Sequence, residues 1–151
     1  MKNKKDIVLV VNRKVRYNYQ IVDTLEVGIK LYAPEVKSCV AKNVSIGESY
    51  CQIKNGELFL LNCNIARYDN ARLENCDPLR VRKLLAHKSE LRRLKKCVES
   101  KGMALVPLDM HICSSRKIKL SLGVCRGKNA VDKRRAISER EQKIEIKRLV
   151  K

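Results

Sequence analysis

Between Tyr19 and Tyr32 the side chains alternate. Tyr19, Ile21, Leu25, Val27, Ile29 and Leu31 are apolar at odd positions, while Asn18, Gln20, Thr24, Glu26 and Lys30 are polar at even ones. A period of two is the signature of a strand with one buried face and one wet face. Asp23 is the single gap in the pattern, and Gly28 marks a candidate bulge. The same alternation returns late in the chain. Ile118, Leu120, Leu122 and Val124 are interleaved with Lys117, Lys119, Ser121 and Gly123. Each of these strands therefore has one face to bury and one to leave wet.

The other elements fit that demand. Ile7–Val11 reads as a short strand or a docked segment, and residues 103–108 as a strand, with a turn near Ser114-Ser115. Ser49–Ile53 and Leu58–Cys63 flank Asn55-Gly56, the dipeptide that supplies the two positive φ angles of a type I′ hairpin turn. Asn12 is placed to cap a short helix with its side-chain oxygen. Pro34 suits the first turn of another helix. Residues 64–75 read as loop. Asp77-Pro78 starts the longest helix. Val81, Leu84, Leu85, Leu91, Leu94 and Val98 form its apolar face, Arg82, Arg93 and Lys96 its charged one, and Gly102 its end. Strands with one main helix in about 120 residues suit a small closed barrel. The expected fold class is mainly β with flanking helices: an OB-like closed β-barrel over 1–126, then a basic tail over 127–151.

The tail narrows the choice of partner. Residues 126–151 hold ten Lys or Arg against four Asp or Glu. Almost nothing there can enter a core. The whole chain carries 34 Lys and Arg against 16 Asp and Glu, a formal charge of +18. An excess of that size implies a densely anionic ligand, with nucleic acid foremost. No apolar run approaches the ~20 residues of a membrane helix. Residues 1–11 lack the apolar length of an export signal. The expected compartment is cytoplasmic, with no membrane partner.

Chemistry is harder to find. The seven Cys, at 39, 51, 63, 76, 97, 113 and 125, form no C-x-x-C pair. They read as reduced apolar fillers. His87 reads as a mid-helix surface residue, and His111 is two residues from Cys113, close enough in a strand to touch it. No orienting group is evident for such a pair, and no phosphate-binding glycine loop occurs. Neither catalytic residues nor a metal or cofactor are expected. Tyr17, Tyr19, Tyr50 and Tyr68 can stack on bases. With so few aromatic residues, the main grip must come from Lys and Arg on phosphates. A small basic structural ribosomal protein has similar composition and is the alternative reading.

A set of ordered motifs sharpens this. They are Asn12-Arg13-Lys14 with Tyr19, Glu26-Val27-Gly28-Ile29, Glu35-Val36-Lys37-Ser38, Ser49-Tyr50 and the run Ile53–Leu61. Asp77-Pro78, Arg80, Arg82–Leu85, His87-Lys88, Leu105–Leu108, Arg126-Gly127-Lys128, Asp132-Lys133-Arg134 and Glu139-Arg140-Glu141 follow. In this order and spacing the chain resembles the SmpB (small protein B) family, the protein partners of transfer-messenger RNA in bacterial trans-translation. The resemblance implies an OB-like barrel that holds the tRNA-like domain of that RNA, and a C-terminal tail disordered when free. Asn12, Tyr19, Glu26 and Leu85 match family positions tied to RNA binding. Arg13, Lys14, Arg16, Arg126 and Lys128 are the expected cationic contacts around them. Asp132, Lys133, Arg134, Arg140, Lys143, Lys147 and Arg148 belong to the tail. By the resemblance, the tail becomes helical in the empty messenger channel of the small subunit of a stalled 70S ribosome, near the decoding centre. Elongation factor Tu and alanyl-tRNA synthetase are implied as indirect partners. Tyr17, Asn129 and Val131 depart from the family's usual residues, which bears on the ribosome contacts.

Overall fold

The computed structural model describes residues 6–68, 77–127 and 130–149. In chain order these form β1 (Ile7–Val11), α1 (Val15–Asn18), β2 (Tyr19–Ile29), α2 (Ala33–Val40), β3 (Val44–Ser45), β4 (Tyr50–Lys54) and β5 (Glu57–Leu61). Then come β6 (Asn64–Ile65), β7 (Arg82–Leu85), α3 (Lys88–Lys101), β8 (Ala104–Ile112), β9 (Ile118–Gly127) and α4 (Ala130–Leu149). Strands β8, β4, β5, β7, β2 and β9 pair in that order, and β9 pairs back with β8, closing a ring of six. Every pairing is antiparallel. Closure leaves no unpaired edge within the ring. Strand β1 is added to the far half of β8, and β3 and β6 form a separate small ladder.

Strand β2 shows why Asp23 breaks the pattern. Ile21 pairs with Cys125 and Asp23 with Val124, so Val22 is an extra residue. The bulge lies there, six positions before the expected Gly28. It turns the strand over. Leu25, Val27 and Ile29 face the barrel interior with Leu58, Leu60, Leu120 and Leu122. Tyr19 and Ile21 pack outside it, in a second cluster with Val15, Val106 and Cys125. The odd-numbered apolar residues on either side of Asp23 therefore serve two different cores. Gly28 has a different use: a Cβ there would sit 3.3 Å from Leu85 Cβ, so the glycine admits Leu85 alongside.

The hairpin is as expected, with Asn55 at φ 53° and Gly56 at φ 72° joining β4 to β5. The long helix is not. Asp77 and Pro78 make a turn, in which Asp77 Oδ1 accepts the Leu79 N–H at 3.0 Å and Asp77 O accepts the Arg80 N–H at 3.2 Å. Residues 82–85 are a strand, because the ring needs one between β5 and β2: Leu84 pairs with Leu58 on one side and Ile29 on the other. The helix begins only at Lys88. His87 is its N-cap, not a mid-helix residue, and the Glu90 carboxylate accepts the His87 backbone N–H at 3.0 Å. Gly102, at φ 62°, closes it as a left-handed C-cap. Leu94 is its one fully buried side chain and inserts into the barrel core. Of the expected charged face, Arg93 and Lys96 are exposed, but Arg82 is completely buried.

Arg82 sits in a polar knot. Its Nε donates to Glu35 Oε2 at 2.5 Å, and its Nη groups donate to the carbonyls of Cys63, Arg80 and Pro78. Glu35 also accepts from Arg80 Nη2 and from the Tyr32 N–H. The Arg80 guanidinium stacks 4.1 Å from the centre of the Tyr32 ring. Burial alone would raise the Glu35 pKa. The Arg80 guanidinium, the Tyr32 N–H and the Arg82 guanidinium outweigh it, so the carboxyl lies below its ordinary value. This knot ties α2 to β7 and to the turn at Pro78.

Candidate nucleic-acid interface

The expected RNA residues fall at the two ends of β2. At the first end, α1 is seated by Val15, which is 2 % exposed. Arg13, Lys14 and Arg16 project from this turn and are exposed. Asn12 is not the helix cap; Lys14 occupies that position without a side-chain cap bond. The Asn12 amide instead donates to Ile46 O at 3.1 Å and Pro107 O at 3.0 Å, and its Oδ1 accepts the Lys14 N–H at 3.2 Å. Pro107 lies where the β8 ladder shifts register, a position at which proline is tolerated in a strand. Asn12 is thus spent on the protein's own backbone and fixes the basic turn in place. Replacing Asn12 by Ala should cost about 2 kcal/mol of stability, from buried hydrogen bonds lost. Urea unfolding measures this, and an unchanged midpoint would remove the anchoring role.

Tyr19 starts β2 opposite Gly127, and Arg126 is exposed beside it, opposite Gln20. Tyr19 is half-buried and shares an open cleft of about 430 Å³ with Tyr50, Gln52 and Lys95, floored by Met103, Leu105 and Val106. Lys14 also pairs with Glu48 across an exposed surface. This end therefore combines four exposed cations, Arg13, Lys14, Arg16 and Arg126, with two tyrosine rings. Lys128 lies outside the described residues.

Glu26 and Leu85 are at the other end of β2, roughly 20 Å from Tyr19 at about 3.3 Å per residue. Leu85 is 52 % exposed, so it is a surface contact rather than a core residue. It borders a cleft of about 310 Å³ with Val36, Ile118 and the cations Arg116, Lys117 and Lys119. Glu26 pairs with Ser121 across the ladder, and its Oε1 meets Lys119 Nζ at 3.1 Å. Its Oε2 lies 3.1 Å from His111 Nε2. His111 Nδ1 lies 3.0 Å from Asp109 Oδ1, which accepts from Ser121 Oγ at 3.1 Å. Burial acts to raise the Glu26 pKa, but the Lys119 and His111 contacts prevail and hold it down. Lys119 is pushed up by Glu26 in turn.

This network corrects the pairing expected of His111. Strand β8 ends at Ile112, and Cys113 lies in the following turn, where its thiol meets Ser115 Oγ at 2.9 Å. The partner of His111 is Asp109, two positions earlier on the same strand face, a spacing visible in the sequence. Nothing local signals Glu26, 85 positions away. Burial pushes the Cys39 thiol up to about 12 and the Cys63 and Cys125 thiols to about 11. Such thiols are inert packing groups at ordinary pH.

The tail is the helix α4, which leaves the barrel beside α1. Asp132 and Lys133 lie in its backbone, and the side chains of Arg134, Arg140, Lys143, Lys147 and Arg148 are exposed. Ile144 and Ile146 are exposed as well, at 44 % and 60 %. Asn129 is outside the described residues. Among the described residues, no helix is long and apolar enough to cross a membrane.

Comparison with known proteins gives consistent matches. The family model described as "SmpB protein" matches residues 9–151. An SsrA-binding protein of Symbiobacterium thermophilum is 47 % identical over 140 residues, covering 93 % of this chain and 89 % of the relative. An SsrA-binding protein of Caldicellulosiruptor saccharolyticus is 43 % identical over 152 residues, covering 99 % and 96 %. A solved structure reported under "tmRNA-SmpB: a journey to the center of the bacterial ribosome" superposes with a TM-score of 0.68. It is 44 % identical, with 85 % of this chain and 93 % of that chain covered.

Proposed function

The chain belongs to the SmpB family, and from that premise we propose that it binds transfer-messenger RNA and acts with it in trans-translation on the ribosome. The observation that carries this is the match to SsrA-binding proteins over nearly the whole of both chains. Within that function, the barrel takes the tRNA-like domain. Arg13, Lys14, Arg16 and Arg126 hold phosphates, Tyr19 stacks on an exposed base, Leu85 offers an apolar platform, and Glu26 accepts from a base amino group or a 2′-hydroxyl. Asn12 acts indirectly, by ordering the basic turn. The protein works in the cytoplasm. Elongation factor Tu and alanyl-tRNA synthetase act on the same RNA and meet the protein only through it.

The tail reads the vacant messenger channel of a stalled ribosome. The described side chains over 140–148 are exposed, so the free helix is marginal and the ribosomal RNA stabilises it. Over twenty residues it extends about 30 Å, and messenger already in the channel would exclude it.

Purification from native cells with bound RNA, followed by sequencing of that RNA, tests the assignment. Recovery of a species with a tRNA-like end is expected; recovery of bulk ribosomal RNA alone would favour a structural ribosomal protein. Binding should also be salt-sensitive. With one phosphate on each of the four cations, affinity should fall about 100-fold between about 50 and about 200 mM salt. A flat response in a filter-binding assay would take phosphate out of the interface.

A further inference from the structure

His111 is fully buried, yet both its ring nitrogens face carboxylate oxygens, Asp109 Oδ1 at 3.0 Å and Glu26 Oε2 at 3.1 Å. A neutral imidazole has one N–H and one lone pair, and an ionised carboxylate only accepts. A neutral ring would satisfy one contact and set lone pair against lone pair in the other. Only the doubly protonated ring donates to both. The charges around it agree. Asp6, just before β1, Glu26 on β2 and Asp109 on β8 converge on the ring, and the donor atoms of Asp6, Glu26 and His111 lie within 4.8 Å of one another. The ammonium of Lys119 on β9 faces them from the Oε1 side of Glu26, and the Ser121 hydroxyl is bonded to Asp109. Three carboxylates against one ammonium leave room for a second positive charge, which an imidazolium supplies.

We propose that His111 is the positioning residue for Glu26: as an imidazolium anchored by Asp109, it clamps one Glu26 oxygen from beneath while Lys119 holds the other. The carboxylate stays ionised and fixed in direction, with its outward lone pairs turned to solvent and to RNA. Its side chain is 42 % exposed, so the clamp does not bury it. Loss of the imidazole proton replaces a donor by a lone pair and frees Oε2 of Glu26, leaving the carboxylate held only by Lys119, so this contact with RNA is proton-linked. Because Glu26 touches RNA only under the function proposed above, the test must separate the clamp from that contact.

Nitrogen NMR of the free full-length protein reads the clamp alone. Both His111 nitrogens should be protonated at neutral pH; a ring protonated on one nitrogen overturns the proposal. Affinity for a tRNA-like RNA between about pH 6 and about pH 9 reads its use. His111→Gln, checked for unchanged melting, should bind about tenfold more weakly than wild type at the acid end, as expected for one charge-assisted hydrogen bond. The two proteins should converge as pH rises. The double variant with Glu26→Gln should bind no more weakly than Glu26→Gln alone. Parallel pH profiles for wild type and His111→Gln, additive losses, or wild-type affinity that falls on adding a chelator would overturn the proposal, the last because a metal ion would then occupy the site. Wild-type affinity in Glu26→Gln with the imidazolium signal intact is a failure of the RNA contact, not of the clamp.

Discussion

Truncation before Asp132 is expected to abolish peptide tagging on stalled ribosomes while changing affinity for the tRNA-like RNA by less than about threefold, the tail contributing only a screened, long-range attraction. The barrel ends its last strand at Gly127, so the truncated protein keeps every ring pairing and should melt as the full chain does. Ser138→Pro separates charge from shape. It keeps all the tail's cations but costs about 3 kcal/mol in a helix interior. Tagging should fall sharply with RNA binding unchanged. Loss of RNA affinity to the same degree as tagging, in either variant, would end the division of labour between barrel and tail.

The second large effect lies in the Glu35 knot. Arg82→Ala leaves a buried carboxylate with one cation fewer and takes a donor from the Cys63 and Arg80 carbonyls, while Pro78 O keeps the Ile65 N–H. Removal of one partner from a buried pair costs about 3–5 kcal/mol, a large part of the stability of a domain this size. Arg82→Lys should recover little of it, since an ammonium cannot reproduce the forked contacts of the guanidinium. The Glu35 carboxyl gives the pH signature. Its folded pKa is depressed below the ordinary value of 4.5. Its stabilising contribution is therefore complete above that value and is lost as pH falls through the lower, folded one. Denaturant midpoints of wild type should drop across that acid window, and Glu35→Gln should drop less. Identical acid slopes would show that Glu35 is not the group responsible.

Local chemistry explains which parts of this molecule can be read from the sequence. Asn55-Gly56 declares its turn because the two φ angles depend on those residues alone. The alternation in β2 and β9 declares its strands because the period belongs to the backbone. Val81, Leu84 and Leu85 satisfy a helical spacing equally well, and only the missing strand between β5 and β2 decides against it. Arg82 and Glu35 are 47 positions apart, and Asn12 reaches 34 and 95 positions to its acceptors. Such contacts exist only once the ring has closed. The candidate site residues are named in the sequence through family resemblance, but their placement as two groups at opposite ends of one strand is not. The bulge at Val22 that separates them showed in the sequence only as an unexplained Asp23.

That separation has its own consequence. The basic turn and the Glu26 carboxylate are joined by one strand that is paired to β9 on both sides of the Val22 bulge, so the distance between them is set by backbone geometry. With RNA held at both points, β2 behaves as a caliper. Under the proposed function it would favour a ligand whose phosphates and base edges match its span over one that is merely anionic.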